Sequence, residues 1–210
     1  MWREEFVLAL ANGALTTVGL IAAATLFGGL LSIAGAAARA SRLGAARAVA
    51  AGYVELIRNT PFIVQLFFVF FGLPSLGVRL PAIAAAILAM TINLAAYGTE
   101  ILRAGLQSVS LGQREAARAL GMREWVIFLR IVLPQALQAV FPALASQIVI
   151  TMLESAVVSQ IAVRDLTYEA DLIQSRTFLA FQTYAVVTVV YLVLSVLLRR
   201  ALGLAGQARR

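Results

Sequence analysis

Apolar residues fall in long unbroken runs along the chain, without the alternation of a half-buried strand. The first run begins at Phe6 and continues without a charged residue to Ala38. A helix needs about 20 apolar residues to cross a ~30 Å hydrocarbon layer, and only helices or closed barrels satisfy the backbone in lipid, so each run reads as a helix. On that ruler the sequence predicts five spans, at about residues 12–38, 59–78, 81–103, 134–159 and 180–198, within one domain covering residues 1–210. The opening run is longer than the ~7–15 residues of a signal-peptide core and is expected to be retained. Between residues 160 and 180, Arg164, Asp165, Glu169, Asp171 and Arg176 argue against a sixth span and predict an external, partly helical loop.

Positive charge accumulates in the loops left on the cytoplasmic side. Arg39, Arg42, Arg47 and Arg58 flank the first connection, Arg103, Arg114, Arg118, Arg123 and Arg130 the third, and Arg199, Arg200, Arg209 and Arg210 the tail, 13 of the 17 arginines. Arg3, Arg79, Arg164 and Arg176 fall on the other side with Glu4, Glu5, Asp165, Glu169 and Asp171. The amino terminus is therefore expected outside and the carboxyl terminus inside.

Composition supports this class: the 210 residues are 61% hydrophobic and 13% charged, with a mean hydropathy of +0.91, against roughly 45–50% and 25% in soluble domains. The chain lacks Cys, His and Lys. That removes thiolate and imidazole metal sites, His-based triads and the lysine of a phosphate-binding loop, so no catalytic residue, metal or cofactor is expected. The net charge of +7 is distributed as membrane orientation requires, so it does not imply nucleic acid.

The longest non-spanning piece, about residues 104–133, is predicted to be the cytoplasmic working surface. Ser110 can open a helix beginning near Arg114, with Glu115 in its first turn against the positive helix end. The small side chains of Ala116, Ala117 and Ala119 allow close approach by another protein. Gly121 permits a positive φ or a tight turn, and Pro134 suits the first turn of the following span.

Glu115-Ala116-Ala117, three residues, Gly121, nine residues, Ile131, one residue, Leu133-Pro134 resembles the signature loop of bacterial ABC importer permeases, without a gap. A second block, Tyr53 to Gln65 with Arg58-Asn59-Thr60-Pro61 at its centre, and Leu166-Thr167-Tyr168 after Ser159-Gln160-Ile161, are similar to polar amino acid permeases of the His/Glu/Gln/Arg/opine type. The resemblance covers about residues 12–205. It implies an all-α bundle of five spans with type I importer architecture, in which Glu115, Ala116, Ala117, Leu120, Gly121 and Met122 couple to an ATPase. It also implies ABC ATPase subunits that bind the ATP, a second permease subunit, an extracytoplasmic solute-binding protein and a bacterial inner-membrane location.

Polar groups inside apolar runs are the candidate substrate contacts, since a lone charge at the bilayer centre costs at least ~2.5–3.5 kcal/mol and usually faces a partner or an aqueous path. Glu154 ends an uncharged run beside Ser155, ~30 Å from Pro134 along a straight helix, and by resemblance occupies a position where related permeases often carry Asp. Asn93, Tyr97 and Glu100, spaced by 4 and 3, lie on one helical face, lining a path or bonding neighbouring helices. Gln65 carries the same two readings. Glu100 with Arg103, and Glu55 with Arg58, have the i,i+3 spacing of simple ion pairs. Gly28 and Gly29 suit close helix packing, and Phe67, Phe68, Phe70 and Phe71 read as lipid or interhelix contacts.

The sequence is thus read as the permease subunit of an ATP-driven importer of a polar amino acid, working by alternating access. An ion-coupled secondary transporter or channel is the alternative. Five spans and no self-similar halves argue against it. A purely structural membrane subunit is the third possibility.

Overall fold

The computed structural model describes residues 2–207, so Arg209 and Arg210 of the charge count lie outside the described residues. The helices are α1 (Trp2–Arg39), α2 (Gly44–Arg58), α3 (Phe62–Phe67), α4 (Ala82–Ser108), α5 (Leu111–Ala119), α6 (Glu124–Ile127), α7 (Leu133–Glu154), α8 (Leu166–Thr177) and α9 (Ala180–Gln207). α3 continues through a wide π turn to Gly72 and a tighter 3-10 turn to Leu76, and α7 ends in a 3-10 turn to Ile161. No strand occurs among the described residues.

Four segments are long and apolar enough to cross a membrane, and α2 with α3 makes a fifth if that bent pair is one span. Their limits differ from the apolar runs, and three of the differences bear on the site. The second connection to the membrane is a broken element: α2, an amphipathic helix absent from the sequence reading, meets the Phe62–Leu76 segment at 110°. The break follows from Pro61, which takes extended φ and ψ of −63° and 142° and has no N–H to donate.

The fourth span starts ten residues earlier than expected, because helix runs without interruption from Glu124 to Ile161. Pro134 therefore does not open it. The π turn at Phe128–Val132 lies immediately before this proline and widens the backbone ladder where a residue without an N–H must fit. Third, α4 extends to Ser108, past the expected end at 103.

α4 is the hub, packed along α1 on one side and α7 on another. The α1–α4 contact depends on small residues. A Cβ at Gly98 would stand 2.1 Å from Ser32 Oγ, and one at Gly35 would stand 2.2 Å from Thr99 Oγ1. Ser32 Oγ donates to Gly28 O at 2.7 Å, and Thr99 Oγ1 to Ser32 O at 3.4 Å, so the polar atoms at this seam are satisfied within it. Gly28 packs on Leu94 as expected, whereas Gly29 meets nothing within 4 Å. At the α4–α7 crossing a Cβ at Gly105 would lie 2.0 Å from Val140 Cγ1. Leu20, Leu66, Met90, Met152 and Val158 fill the core between these helices. Phe67 and Phe70 pack against that core, while Phe68 and Phe71 face outward.

α8, 12 residues long, is about 18 Å at 1.5 Å per residue and too short to cross. It docks on α1 where Gly13 leaves room: a Cβ there would be 2.8 Å from both Asp165 O and Leu166 Cα. Asp165, fully buried, caps α8 by accepting from the Tyr168 N–H at 2.9 Å, and the Tyr191 hydroxyl reaches its other oxygen at 3.3 Å. Thr17 Oγ1 accepts from the Leu166 N–H at 3.3 Å.

Two outcomes follow from this packing. Gly98→Val drives a branched side chain into Ser32 and should cost ~1–3 kcal/mol, read as a lower thermal midpoint in detergent, whereas Gly29→Ala should leave the midpoint unchanged or raised. Burial pushes the Asp165 carboxyl from 3.8 up to about 6. A raised folded-state value favours the neutral acid, so the docked α8 is most stable below the unfolded value and loses stability as pH rises through about 6. The stability of the docked loop, read as protease resistance, should fall from about pH 4 to about pH 6 and level off above pH 7, by at most ~3 kcal/mol in all, and be flat in Asp165→Asn.

Candidate coupling and substrate sites

α5 ends in a turn that its sequence dictates. Gly121 adopts φ +76°, a conformation that costs a side-chain-bearing residue energy. Its N–H donates to Arg118 O at 2.9 Å and the Met122 N–H to Ala117 O at 3.1 Å, the paired bonds of a Schellman cap. Ala117 is buried against Val109, Ile127, Val132 and Ala136, tying α5 to the adjoining ends of α4 and α7. Arg118 pairs with Glu124 across the turn, and Gln135 Nε2 donates to Gln113 Oε1 at 2.8 Å.

The other face of α5 is open. Glu115, Ala116 and Gly121 are exposed, and Leu120 is 82% exposed despite being apolar. A groove of about 370 Å³ lies beside them, lined by Gln113, Ala116, Leu120, Met122, Ile131 and Gln135. One detail differs from the sequence reading. The helix begins at Leu111, so Glu115 sits in the second turn, and Ser110 makes no side-chain cap.

The polar stripe of α4 meets the α2–α3 break. Asn93 Nδ2 donates to Gln65 Oε1 at 3.0 Å, and Gln65 Nε2 donates to Ile57 O at 2.8 Å and Thr60 O at 2.9 Å. Gln65 thus ties the open end of α2 to α3 and to α4. Both side chains are buried, and Asn93 Oδ1 has no partner. One turn further along α4, the Arg58 guanidinium lies 5.4 Å above the Tyr97 ring. Among the described residues Arg58 and Glu55 form no ion pair with each other or with any other residue, in contrast to the pairing that their spacing suggests. Glu100 does pair with Arg103, and Arg39 at the end of α1 lies 4.0 Å from the same carboxylate.

Glu154 and Ser155 diverge. Ser155 is fully buried and donates to Met152 O at 2.6 Å. Glu154 is half-buried next to the exposed Leu153, with Oε2 shut from solvent and unpartnered. No hydrogen bond or ion pair joins Glu154 to the Gln65, Asn93, Tyr97 and Glu100 group among the described residues. Tyr53, which opens the second block of the sequence but was given no contact there, donates its hydroxyl to Ile92 O at 2.6 Å and fixes α2 against α4. The available signal was Pro61: a proline three residues after an arginine and two after an asparagine marks a helix end where polar side chains collect.

Known proteins match this arrangement. The family model described as binding-protein-dependent transport system inner membrane component matches residues 16–210. The "Probable glutamine ABC transporter permease protein GlnM" of Bacillus subtilis (strain 168) is 43% identical over 144 residues, 69% of this chain and 67% of that protein. The nopaline transport system permease protein NocM of Agrobacterium fabrum (strain C58) is 34% identical over 200 residues, 90% of this chain and 83% of its own. Among solved structures, a crystal structure of an amino acid ABC transporter with histidines superposes with a TM-score of 0.91 at 35% identity, covering 98% of this chain and 96% of that one. The inward-facing MetNI methionine ABC transporter shares the fold, with a TM-score of 0.79 at 21% identity over 99% of each chain. With the α5 turn, its open groove and the all-helical bundle of four or five candidate spans in place, the chain belongs to the family of binding-protein-dependent transport system inner membrane components.

Proposed function

We propose that this chain is the permease subunit of an ATP-binding-cassette importer that moves a polar amino acid across the bacterial inner membrane. The single observation that carries the mechanism is α5: a short surface helix, locked to the membrane helices through Ala117, that presents Leu120 and an apolar groove to the outside of the subunit. An exposed apolar side chain beside a groove is what a docking partner would cover. In this reading an ATPase subunit seats on α5, binds the ATP that this chain has no site for, and moves α5 as it closes. Because α5 is packed against α4 and α7, that movement becomes a tilt of the spans.

A second permease, identical or similar, would complete the enclosure, since a polar path on one face of a single bundle needs a facing wall, which two-fold pairing supplies. A solute-binding protein would deliver the amino acid to the side carrying α8, with the amino terminus there and α5 opposite. Gln65, Asn93, Tyr97 and Glu100 on one wall and Glu154 with Ser155 nearer the α8 end remain the candidate path residues. The unpartnered oxygens of Asn93 and Glu154 support a path, because a buried acceptor without a donor is costly unless something visits it.

Leu120→Asp tests the coupling assignment. Co-purification in detergent should lose the ATPase, while the permease keeps its thermal midpoint because Leu120 is exposed. An unchanged complex would mean that α5 is not the docking helix.

A further inference from the structure

α4 and α5 are joined only by Val109 and Ser110, both in extended backbone at ψ 125° and 133°. An extended link has no helical hydrogen bonds of its own, so the angle between the two helices is held by contacts between them. The link also ends the ladder of α4, whose last carbonyls have no partner inside the helix. Two of these carbonyls are met by side chains. Ser108 Oγ donates to Gly105 O at 2.8 Å, and Arg114, in the first turn of α5, donates its Nη2–H to Leu106 O at 2.6 Å. Resting on the reading of this chain as an ATP-driven permease, we propose that Arg114 is the positioning residue that ties the movement of α5 to α4, by gripping the end of α4 through the Leu106 carbonyl.

The placement of Arg114 separates it from the docking surface. The groove takes Gln113, Ala116 and Leu120 from α5, and Arg114 is not among its lining residues. Arg114 and Ala117 are the two residues of α5 that are not exposed, and their i,i+3 spacing sets them on the side turned towards the bundle. They hold the helix in different ways. Ala117 buries apolar surface, an attraction without direction that tolerates sliding. A charged donor on a carbonyl is directional and roughly twice as strong as a neutral hydrogen bond.

The surroundings of the guanidinium point the same way. Among the described residues no carboxylate lies within ion-pair distance of Arg114, whereas Arg118, one turn on, pairs with the exposed Glu124. The charge of Arg114 instead meets the negative end of the α4 dipole. Its Nε is closed off from solvent without a hydrogen-bond partner, so the root of the guanidinium is enclosed by protein. Leu106 directly follows Gly105, where α4 touches Val140 of α7. A pull on Arg114 therefore acts beside the α4–α7 crossing. Without this bond Ala117 keeps α5 attached, but α5 shifts over α4 and less of its motion enters the spans, so nucleotide is hydrolysed with less solute moved.

The test uses the whole transporter, with its ATPase and binding protein, in proteoliposomes supplied with a mixture of tritiated L-amino acids, and reads ATP hydrolysed per amino acid accumulated. Arg114→Met keeps most of the length of the side chain and loses its donors, and Arg114→Gln keeps an amide that falls short of the guanidinium tip. Both should retain the ATPase on co-purification and raise the ratio about fivefold or more. Arg114→Lys, which keeps the charge and a donor for the carbonyl, should return the ratio towards the wild-type value. A residue that served folding alone would lower transport and hydrolysis together and leave the ratio where it was. An unchanged ratio in the two neutral variants, transport and hydrolysis lost together in both, loss of the ATPase from both, or no recovery with lysine overturns the role of Arg114 and leaves the importer reading standing. Wild-type uptake of none of the amino acids overturns the importer reading and this role with it.

Discussion

The close approach of α1 to α4 is the constraint on which the rest of this subunit depends. In lipid there is no hydrophobic drive between helices, so association rests on backbone proximity and internal hydrogen bonds. Gly98 against Ser32 and Gly35 against Thr99 provide both, since the missing Cβ atoms let the helices touch and the two hydroxyls bond to backbone carbonyls in the seam. With α1 seated, its amino-terminal half has a fixed surface on which α8 docks through Gly13, and its final arginine reaches the Glu100 carboxylate.

From that seam α4 distributes the structure in two directions. Towards α2 and α3 it offers Ile92 O, Asn93 and Tyr97, which receive Tyr53, Gln65 and Arg58 and hold a 110° bend in place. Towards α7 it closes on Val140 through Gly105, and just beyond its end α5 is sealed by Ala117. α5 and the α2–α3 bend are thus both attached to α4.

Much of this was legible in the sequence because lipid imposes a simple code. Unbroken apolar runs located the four long membrane-length helices, and Gly121 announced the positive φ that the structure contains. The spacing of Asn93, Tyr97 and Glu100 gave their shared face. What stayed hidden was the partner of each residue, because those partners lie across a break. α2 was missed because Arg47 and Arg58 were counted as the flanks of a loop, although its alanines favour helix and Ala50 and Val54 are buried on one face. Pro134 suggested a helix start on local grounds, but the preceding π turn let the helix pass through it. Glu154 and Ser155, adjacent in sequence, part because neighbours on a helix point about 100° apart: Ser155 enters the core and Glu154 does not.

The account's central claim is that movement of solute is driven from α5 by a partner's ATP hydrolysis, and not by an ion gradient acting on this bundle alone. The most direct measurement is amino acid accumulation in proteoliposomes containing the assembled transporter, comparing ATP on the α5 side with imposed proton or sodium gradients. The account predicts accumulation that requires ATP hydrolysis and is indifferent to either gradient. Accumulation that follows a gradient and proceeds without the ATPase would contradict it, and would make the subunit a secondary carrier.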